Sequence, residues 1–218
     1  MEERRKPGRP AKGEDLRDEI LDSAEMLFAE HGFSGAAVRD IAAGAGCNPA
    51  LLRYYFGSKE SLFAEVFRRR GSALSGQRHV FLDDLLARPA PPTVEDVIHA
   101  YLKPQWEMKY SGASGAAFVK LQARLHAEPA EYALSLRREV YDSSVKRYVS
   151  ALEDLLPGIP REVISIRMAF LVGAYLFMLN DLGRLSDMTD GQVYEMGKEP
   201  MLAHLVIFLS AGLRAPLP

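Results

Sequence analysis

Apolar residues in this chain recur at intervals of three and four, and the strict polar–apolar alternation of a half-buried strand is missing. Beginning at Leu16, the first repeat runs through Ile20, Leu21, Ala24, Leu27 and Phe28 and closes near Gly32. These positions fall on one face of a helix with 3.6 residues per turn, whereas a strand needs a period of two. The spacing therefore predicts an all-α protein of about nine helices.

Residues 38–56 contain a short helical pattern, a turn with glycines and a second short helical pattern. Gly44 and Gly46 permit a tight reversal between the two helices. Asn48 is a good N-cap for the second helix, and Pro49 suits its first turn. The pattern indicates a helix-turn-helix, whose second helix enters the major groove of DNA. A plain helical corner without a DNA contact has the same local pattern.

The outer face of this second helix carries most of the candidate DNA contacts, because Leu52 and Phe56 would pack inward. These candidates are Asn48, Pro49, Ala50, Arg53, Tyr54 and Tyr55. Arg53, with Arg39 on the preceding helix, is a candidate for base contact because a guanidinium can bond two acceptors of guanine. The tyrosines and Lys59 would contact phosphates. Alternatively, Arg39 pairs with Asp40 and the tyrosines cover a core edge.

Residues 16–66 as a whole resemble the TetR family of bacterial repressors. Four segments and one glycine carry the resemblance: 20–24, 27–33, 38–42, 52–63 and Gly46. The resemblance implies that Arg39 touches a base and that Tyr55 and Lys59 hold phosphates. It also implies that the groove is faced by Asn48, Pro49, Ala50, Arg53 and Tyr54.

Two positions depart from the family pattern. Ala36 and Ala37 stand where the family usually has threonine or serine, so a capping hydroxyl that also bonds phosphate is missing, with Ser34 as a substitute cap. Arg53 stands where the family often has tyrosine, so it adds either a base contact or a further phosphate contact.

The first 13 residues form a basic arm that is expected to be disordered alone. Gly8, Arg9 and Pro10 resemble the core of an AT-hook, in which an arginine lies in the narrow minor groove of A·T-rich DNA. Arg9 is therefore a further candidate DNA contact, and a solvated tail without function is the alternative.

Two late stretches, 163–185 and 201–213, are apolar on more than one face and should be buried on several sides. The family resemblance implies that these last two long helices form a four-helix bundle with a second copy, giving a homodimer. Other faces would enclose a pocket for a lipophilic or aromatic small molecule. Its candidate lining residues, each of which could instead be plain core, are Tyr101, Trp106, Phe118, Leu121, Tyr141, Phe170, Tyr175 and Met178.

Several functional classes are disfavoured by the residues after about position 71. No catalytic constellation and no Cys/His metal spacing are present, so we expect no enzyme, no metal and no cofactor. The single cysteine, Cys47, cannot form a disulfide within the chain and suits a reducing cytoplasm. The longest apolar stretch, 168–179, is shorter than the roughly 20 residues of a membrane-spanning helix.

Together these features favour a cytoplasmic, dimeric repressor that binds double-stranded, palindromic operator DNA and is released by a small-molecule effector. The expected organisation is a basic arm at 1–13, a helix-turn-helix domain at 14–60 and a helical ligand-sensing and dimerisation domain at 61–218. Residues 70–76, loosened by Gly71 and Gly76, would form the pivot of the helix that joins the two domains. An all-α hydrolase and an architectural DNA-binding protein without a ligand are the competing interpretations.

Overall fold

The computed structural model describes residues 12–127, 131–180, 184–192 and 196–218, and within these ranges it contains ten helices and no strand. The helices are α1 Lys12–Gly35, α2 Val38–Gly44, α3 Pro49–Phe56, α4 Lys59–Leu86, α5 Val94–Tyr110, α6 Ala113–Ala127, α7 Glu131–Leu155, α8 Arg161–Leu179, α9 Arg184–Met188 and α10 Lys198–Arg214. The all-α prediction is confirmed, and the short α9 brings the number of described helices to ten.

The chain divides into two compact units, one ending at Val66 and the other beginning at Phe67. The division therefore lies inside α4, beyond the boundary at residue 60 that the sequence suggested.

In the first unit, α1 packs against α2 and α2 against α3. Its core is formed by apolar side chains at helical spacing, namely Ile20, Leu21, Ala24, Phe28, Ile41, Ala42, Leu52, Phe56, Leu62, Phe63 and Val66. Phe28 meets Phe63 edge to face, with ring centroids 5.0 Å apart. Gly32 has a non-helical backbone (φ 72°, ψ 177°) where the sequence predicted a helix end, and helical backbone resumes as far as Gly35.

The turn between α2 and α3 needs its two glycines for different reasons. A Cβ on Gly44 would lie 2.4 Å from Ser23 Oγ. That hydroxyl donates to the carbonyl oxygen of Ile41 at 2.9 Å, so it is held in place. Gly46 has a φ of +63°, in the left-handed region that favours glycine. The expected tight reversal is therefore built from one close approach and one unusual backbone conformation.

In the second unit, α5 packs against α6, α7, α8 and α10, and α8 packs against α7 and α10. Thr93 begins α5 with a capping box: its Oγ1 accepts from Asp96 N at 3.1 Å, and Asp96 Oδ2 accepts from Thr93 N at 2.9 Å. Thr93 Oγ1 also donates to Asp96 Oδ2 at 2.6 Å, and this hydrogen bond, together with the one from Thr93 N, lowers the pKa of Asp96. Pro104 lies buried inside α5 and does not end the helix.

The structure contradicts the predicted pivot at Gly71. A Cβ at this position would lie 2.4 Å from Val140 Cγ1 and 3.1 Å from Tyr141 Oη. Gly71 therefore allows α7 to approach α4 closely, whereas Gly76 has no atom within 4 Å of an added Cβ. The sequence alone cannot distinguish a glycine that loosens a helix from one that is required by a neighbour.

α8 is, in the described ranges, the one helix long and apolar enough to cross a membrane, with a mean hydropathy of 1.7 over its best window. Only 28% of that window is buried. One such helix is a weak indication, because core helices of soluble proteins meet the same criterion. The sequence expectation of no membrane segment rested on a shorter, uninterrupted apolar stretch.

Candidate nucleic-acid interface and a buried polar cluster

The amino-terminal end of α3 is capped and exposed. Asn48 Oδ1 accepts a hydrogen bond from Ala50 N at 2.8 Å, and Pro49 occupies the first turn. Leu52 and Phe56 are buried, while the remaining positions of 48–54 are exposed and Tyr55 is half-buried. The exposed ridge expected along α3 is therefore present, and its contacts with DNA stay a prediction.

Two arginines and a tyrosine project from this surface into solvent. The Arg39 side chain is 84% exposed, and its Nε lies 3.3 Å from Asp40 Oδ1. An exposed ion pair of this kind stabilises little, so it leaves Arg39 available to a stronger acceptor. Arg53 is exposed, and Tyr54 is 81% exposed with its ring edge-on to Tyr55 at 5.4 Å.

A groove of about 520 Å³ separates α3 from the start of α4. Its lining residues are Val38, Pro49, Ala50, Leu52, Arg53, Gly57, Ser58, Lys59 and Leu62. Ser58 caps α4, because its Oγ accepts a hydrogen bond from Ser61 N at 3.1 Å. Lys59 Nζ lies 3.4 Å from the Ser34 carbonyl oxygen and 4.8 Å from the centre of the Phe33 ring. Arg53 and Lys59 thus bring two cations to one groove.

The expected substitute cap on α2 is not formed. Ala37 is the N-cap residue of α2 and provides no side-chain hydrogen bond, so Ser34 does not take over that role. Ser34 lies within the last residues of α1, where its carbonyl oxygen contacts Lys59 instead. Arg9, the candidate contact in the basic arm, lies outside the described residues.

Six of the eight residues predicted to line a ligand pocket are buried in the second unit: Tyr101, Trp106, Phe118, Leu121, Tyr141 and Tyr175. Met178 is partly buried against the same core. Phe170 is different, since its side chain is 71% exposed. Helical spacing places it with the exposed Ile166 and Phe177 rather than with Leu171 and Tyr175, so its assignment to the pocket was wrong.

The interior of the second unit contains a buried arginine that sequence reasoning missed. Arg78 is only 2% exposed. It donates from Nε to the Tyr101 carbonyl oxygen and from Nη2 to Gln105 Oε1, each at 3.0 Å. Gln105 Nε2 in turn donates to Gln122 Oε1. The guanidinium carbon lies 3.8 Å from the centre of the Tyr101 ring, a cation–π contact.

A sequence signal for Arg78 was present. Leu74, Leu82 and Leu85 lie four before, four after and seven after Arg78, and all three are buried. These intervals place Arg78 on the apolar stripe of α4. A charged residue at a core position is unusual and could have been singled out.

Tyrosines surround this cluster, and they are neutral. Burial raises the pKa of Tyr141, Tyr148 and Tyr175, although the charge of Arg78 acts in the opposite direction. Tyr148 Oη donates to the Arg78 carbonyl oxygen at 2.9 Å, and Tyr175 Oη donates to the Leu102 carbonyl oxygen at 2.6 Å. Tyr141 Oη is buried and has no hydrogen-bond partner.

An open groove of about 710 Å³ lies on the same unit, between α7 and α8. Its lining comprises His126, Val145, Lys146, Val149, Arg161, Ser165, Met168, Ala169, Val172, Gly173 and Leu176. None of the eight predicted pocket residues belongs to it. Burial lowers the pKa of His126, whose ring centroid lies 6.3 Å from that of Tyr141. In the described ranges, no group of His, Cys, Asp or Glu could hold a metal ion.

Two family profiles match the chain. "Bacterial regulatory proteins, tetR family" matches residues 20–66, and "Tetracyclin repressor-like, C-terminal domain" matches residues 99–212. The two together cover the exposed ridge of α3 and most of the second unit.

Curated relatives match mainly through the amino-terminal part. The chain is 42% identical over 72 residues to the HTH-type transcriptional repressor KstR2 of Rhodococcus jostii, covering 33% of this chain and 30% of that protein. It is 44% identical over 99 residues to the dual regulator CecR of Shigella flexneri, covering 45% and 39%. The chain thus spans only about a third of the length of the curated relatives that it matches.

Solved structures match over nearly the whole chain. A TetR-family transcriptional regulator from Bordetella parapertussis aligns with a TM-score of 0.67 at 20% identity, covering 90% of this chain and 94% of that one. At this identity the likeness concerns the fold alone.

Proposed function

This chain belongs to the TetR family of bacterial transcription regulators, and on that premise we propose that it is a dimeric repressor that binds a palindromic operator and is released by a small-molecule effector. The carrying observation is the ridge of α3, which is exposed from its cap Asn48 to Tyr54 apart from the anchoring Leu52. An exposed helix start of this kind fits a major groove.

Within this proposal, the exposed side chains of the first unit have two roles, base contact and phosphate contact. Arg39 and Arg53 read base edges, because a guanidinium can form two parallel hydrogen bonds to guanine. Tyr55 and Lys59 hold phosphates, and the start of α4 contributes its backbone N–H groups. Ala37 offers no hydroxyl to a phosphate, so more of the affinity depends on these cations. Arg9 in the basic arm would add a minor-groove contact.

Dimerisation is supported by aromatic side chains that α8 and α10 leave in solvent. Phe170 is 71% exposed on α8 and Phe208 is 70% exposed on α10, and the two helices pack against each other. Ile166, Phe177 and Ile207 extend the exposed apolar surface. A second copy with the same surface would cover it around a twofold axis. A second copy packed on this surface also accounts for the high hydropathy of α8, so no membrane is needed to explain it.

The effector would act by shifting a population of conformations. A ligand that binds more tightly to a DNA-incompatible state of the dimer draws the protein away from its operator. The names of the curated relatives, which are repressors and a dual regulator, favour repression and a non-enzymatic role. A regulator of this kind works in the cytoplasm, where its DNA is.

Selection of preferred sequences from a random pool of duplex DNA tests the proposal. The purified full-length protein should enrich one short palindrome and protect only that site in a footprint. Enrichment of general A·T-rich sequence with broad coverage would instead identify an architectural DNA-binding protein.

Phe170→Asp tests the dimer within the same experiment. We expect a monomer on a sizing column and a loss of palindrome affinity of about 100-fold, because one half-site binds without its partner. Val80→Asp is the matched control, since Val80 is 57% exposed on α4. A Phe170→Asp protein that stays dimeric and keeps its operator affinity would contradict the proposed interface.

A further inference from the structure

We propose that Arg78 is the anion-binding group of the effector site, and that the effector is an apolar molecule carrying one carboxylate. Its consequence for DNA rests on the proposed function, whereas the binding itself does not. The observation that supports this proposal is the buried guanidinium of Arg78. Its neighbours on α5, α6, α7 and α8 are uncharged groups or hydrogen-bond donors.

The positive charge of Arg78 is not balanced by a neighbouring anion. The side chain is 2% exposed, and its side-chain partners are a backbone carbonyl, an amide oxygen and a tyrosine ring. None of the carboxylates in the described ranges forms an ion pair with it. Arginine is almost never fully buried without a partner, because desolvating an unpaired cation costs several kcal/mol. A ligand with a negative charge would remove that cost.

Titratable groups from the neighbouring helices face the cluster around Arg78. Tyr101 lies on α5, Tyr141 and Tyr148 on α7, and Tyr175 on α8. Tyr141, Tyr148 and Tyr175 have pKa values raised by burial, so none is a phenolate near neutral pH. Burial lowers the pKa of His126 on α6, so its imidazole is neutral near neutral pH. The carboxylate of Asp83 acts on the pKa of Tyr148, but it pairs with Arg147 rather than with Arg78, so it does not supply the missing negative charge.

The core contains buried groups without a partner that can donate a hydrogen bond. Tyr141 Oη and Trp106 Nε1 are buried without a partner. Arg78 makes its side-chain hydrogen bonds through Nε and Nη2. A carboxylate only accepts hydrogen bonds, and it matches the planar fork of a guanidinium.

The size of the charge and the nature of the surroundings determine which anion fits. The guanidinium of Arg78 is one cation whose contacts are a carbonyl, an amide and an aromatic ring, which favours a singly charged carboxylate over a doubly charged phosphate ester. Trp106, Phe118 and Tyr175 provide apolar surface in the same core. The apolar part of the ligand would therefore pack against these side chains, in place of some of the contacts that they now make with one another.

The test uses the purified full-length protein and matched pairs of probes. Straight-chain carboxylates from acetate to dodecanoate, together with phenylacetate, are compared with the corresponding amides by thermal shift and calorimetry. At least one acid should raise the Tm by about 5–10 °C at roughly a hundredfold excess over its Kd. Its amide should not. Failure of every acid, or equal binding of acid and amide, would overturn the proposal.

Arg78→Met asks whether the guanidinium is the binding group. We expect the affinity for the active acid to fall about 100-fold or more, while the Tm of the ligand-free protein stays equal to or above that of the wild type. Unchanged acid binding with a lower Tm would show that Arg78 only holds the fold together. Arg78→Lys, which keeps the charge but loses the fork, should weaken binding by about tenfold. If Arg78→Met does not fold, Arg78→Lys provides the test of the guanidinium instead.

Two further variants complete the comparison. Tyr141→Phe removes the unpartnered hydroxyl and should weaken acid binding by about three- to tenfold without lowering the Tm. Arg147→Met is the matched control, because Arg147 is partly exposed and pairs with Asp83, and it should leave acid binding unchanged. An Arg147→Met protein that loses acid binding as completely as Arg78→Met would overturn the assignment to Arg78.

Operator binding separates this inference from the proposed function. If the acid binds through Arg78 but does not release the selected DNA, the anion site is supported and effector-controlled release is contradicted. If DNA is selected and is released by a neutral ligand alone, the repressor function is supported and the carboxylate assignment is contradicted.

Discussion

The two units of this protein place arginine in opposite surroundings. In the first unit, Arg39 and Arg53 extend into solvent beside the exposed start of α3. In the second unit, Arg78 is buried among a carbonyl, an amide and tyrosine rings. The same side chain is fully hydrated in one place and deprived of water in the other.

The two surroundings suit the arginines to different ligands. Hydrated cations on a surface attract a polyanion whose counterions are released on binding, so their contribution depends on salt. A buried cation is shielded from bulk ions and gains most from a single, well-placed anion. The first unit is therefore suited to DNA, and the second to a small acid.

The largest expected effect is the response of the two sites to salt. A dimer brings six cations to DNA if Arg39, Arg53 and Lys59 of each subunit contact it, so operator affinity should fall about 10³-fold between 50 and 200 mM salt. Binding of the carboxylate probe should change less than about threefold. The measurement is a titration of each ligand at four salt concentrations. Equal salt dependence at both sites would break the comparison.

The second prediction sharpens the role of the exposed arginine. Arg53→Ala should relax preference at one base pair of each half-site, costing about 1–3 kcal/mol against the preferred base, because one bidentate contact is lost. Binding to a set of single-base operator variants measures this. Arg88→Ala, at an exposed position just beyond the end of α4, is the control. If Arg53→Ala weakens all sequences equally, Arg53 contacts only a phosphate.

The last prediction concerns the packing of α4 against α7 in the second unit. Gly71→Ala should destabilise the second unit by about 1–3 kcal/mol, since the added Cβ would overlap Val140. Gly76→Ala should be neutral or stabilising by up to about 1 kcal/mol, because no atom lies within 4 Å of its Cβ position. Thermal unfolding of both variants measures the contrast. Equal stability would revive the interpretation of Gly71 as a loose pivot in α4.

Much of the first unit could be predicted from the sequence because its determinants are local. Asn48 caps α3 through an atom two residues away, and Ser58 caps α4 through the next turn. Leu52 and Phe56 are four residues apart and lie on the same buried face. The ridge that faces away from them follows from the same spacing. The missing cap at Ala37 was visible too, but Ser34 does not replace it.

The second unit was predicted less well because its determinants are distant along the chain. Periodicity showed that α8 is apolar on several sides, but it could not assign Phe170 to solvent, since that depends on which neighbours cover each face. Spacing could have placed Arg78 on an apolar stripe. It could not have shown that no carboxylate faces it.

By itself, the sequence determined the helical class, the capped ridge of α3 and the family, because helix period, capping and turn chemistry act over a few residues. Only the tertiary structure decided that Gly71 accommodates Val140 and that Arg78 meets Tyr101 and Gln105. Those contacts join residues more than 20 positions apart. They exist because burial brings whole helices together, and no local pattern encodes which side chains then meet.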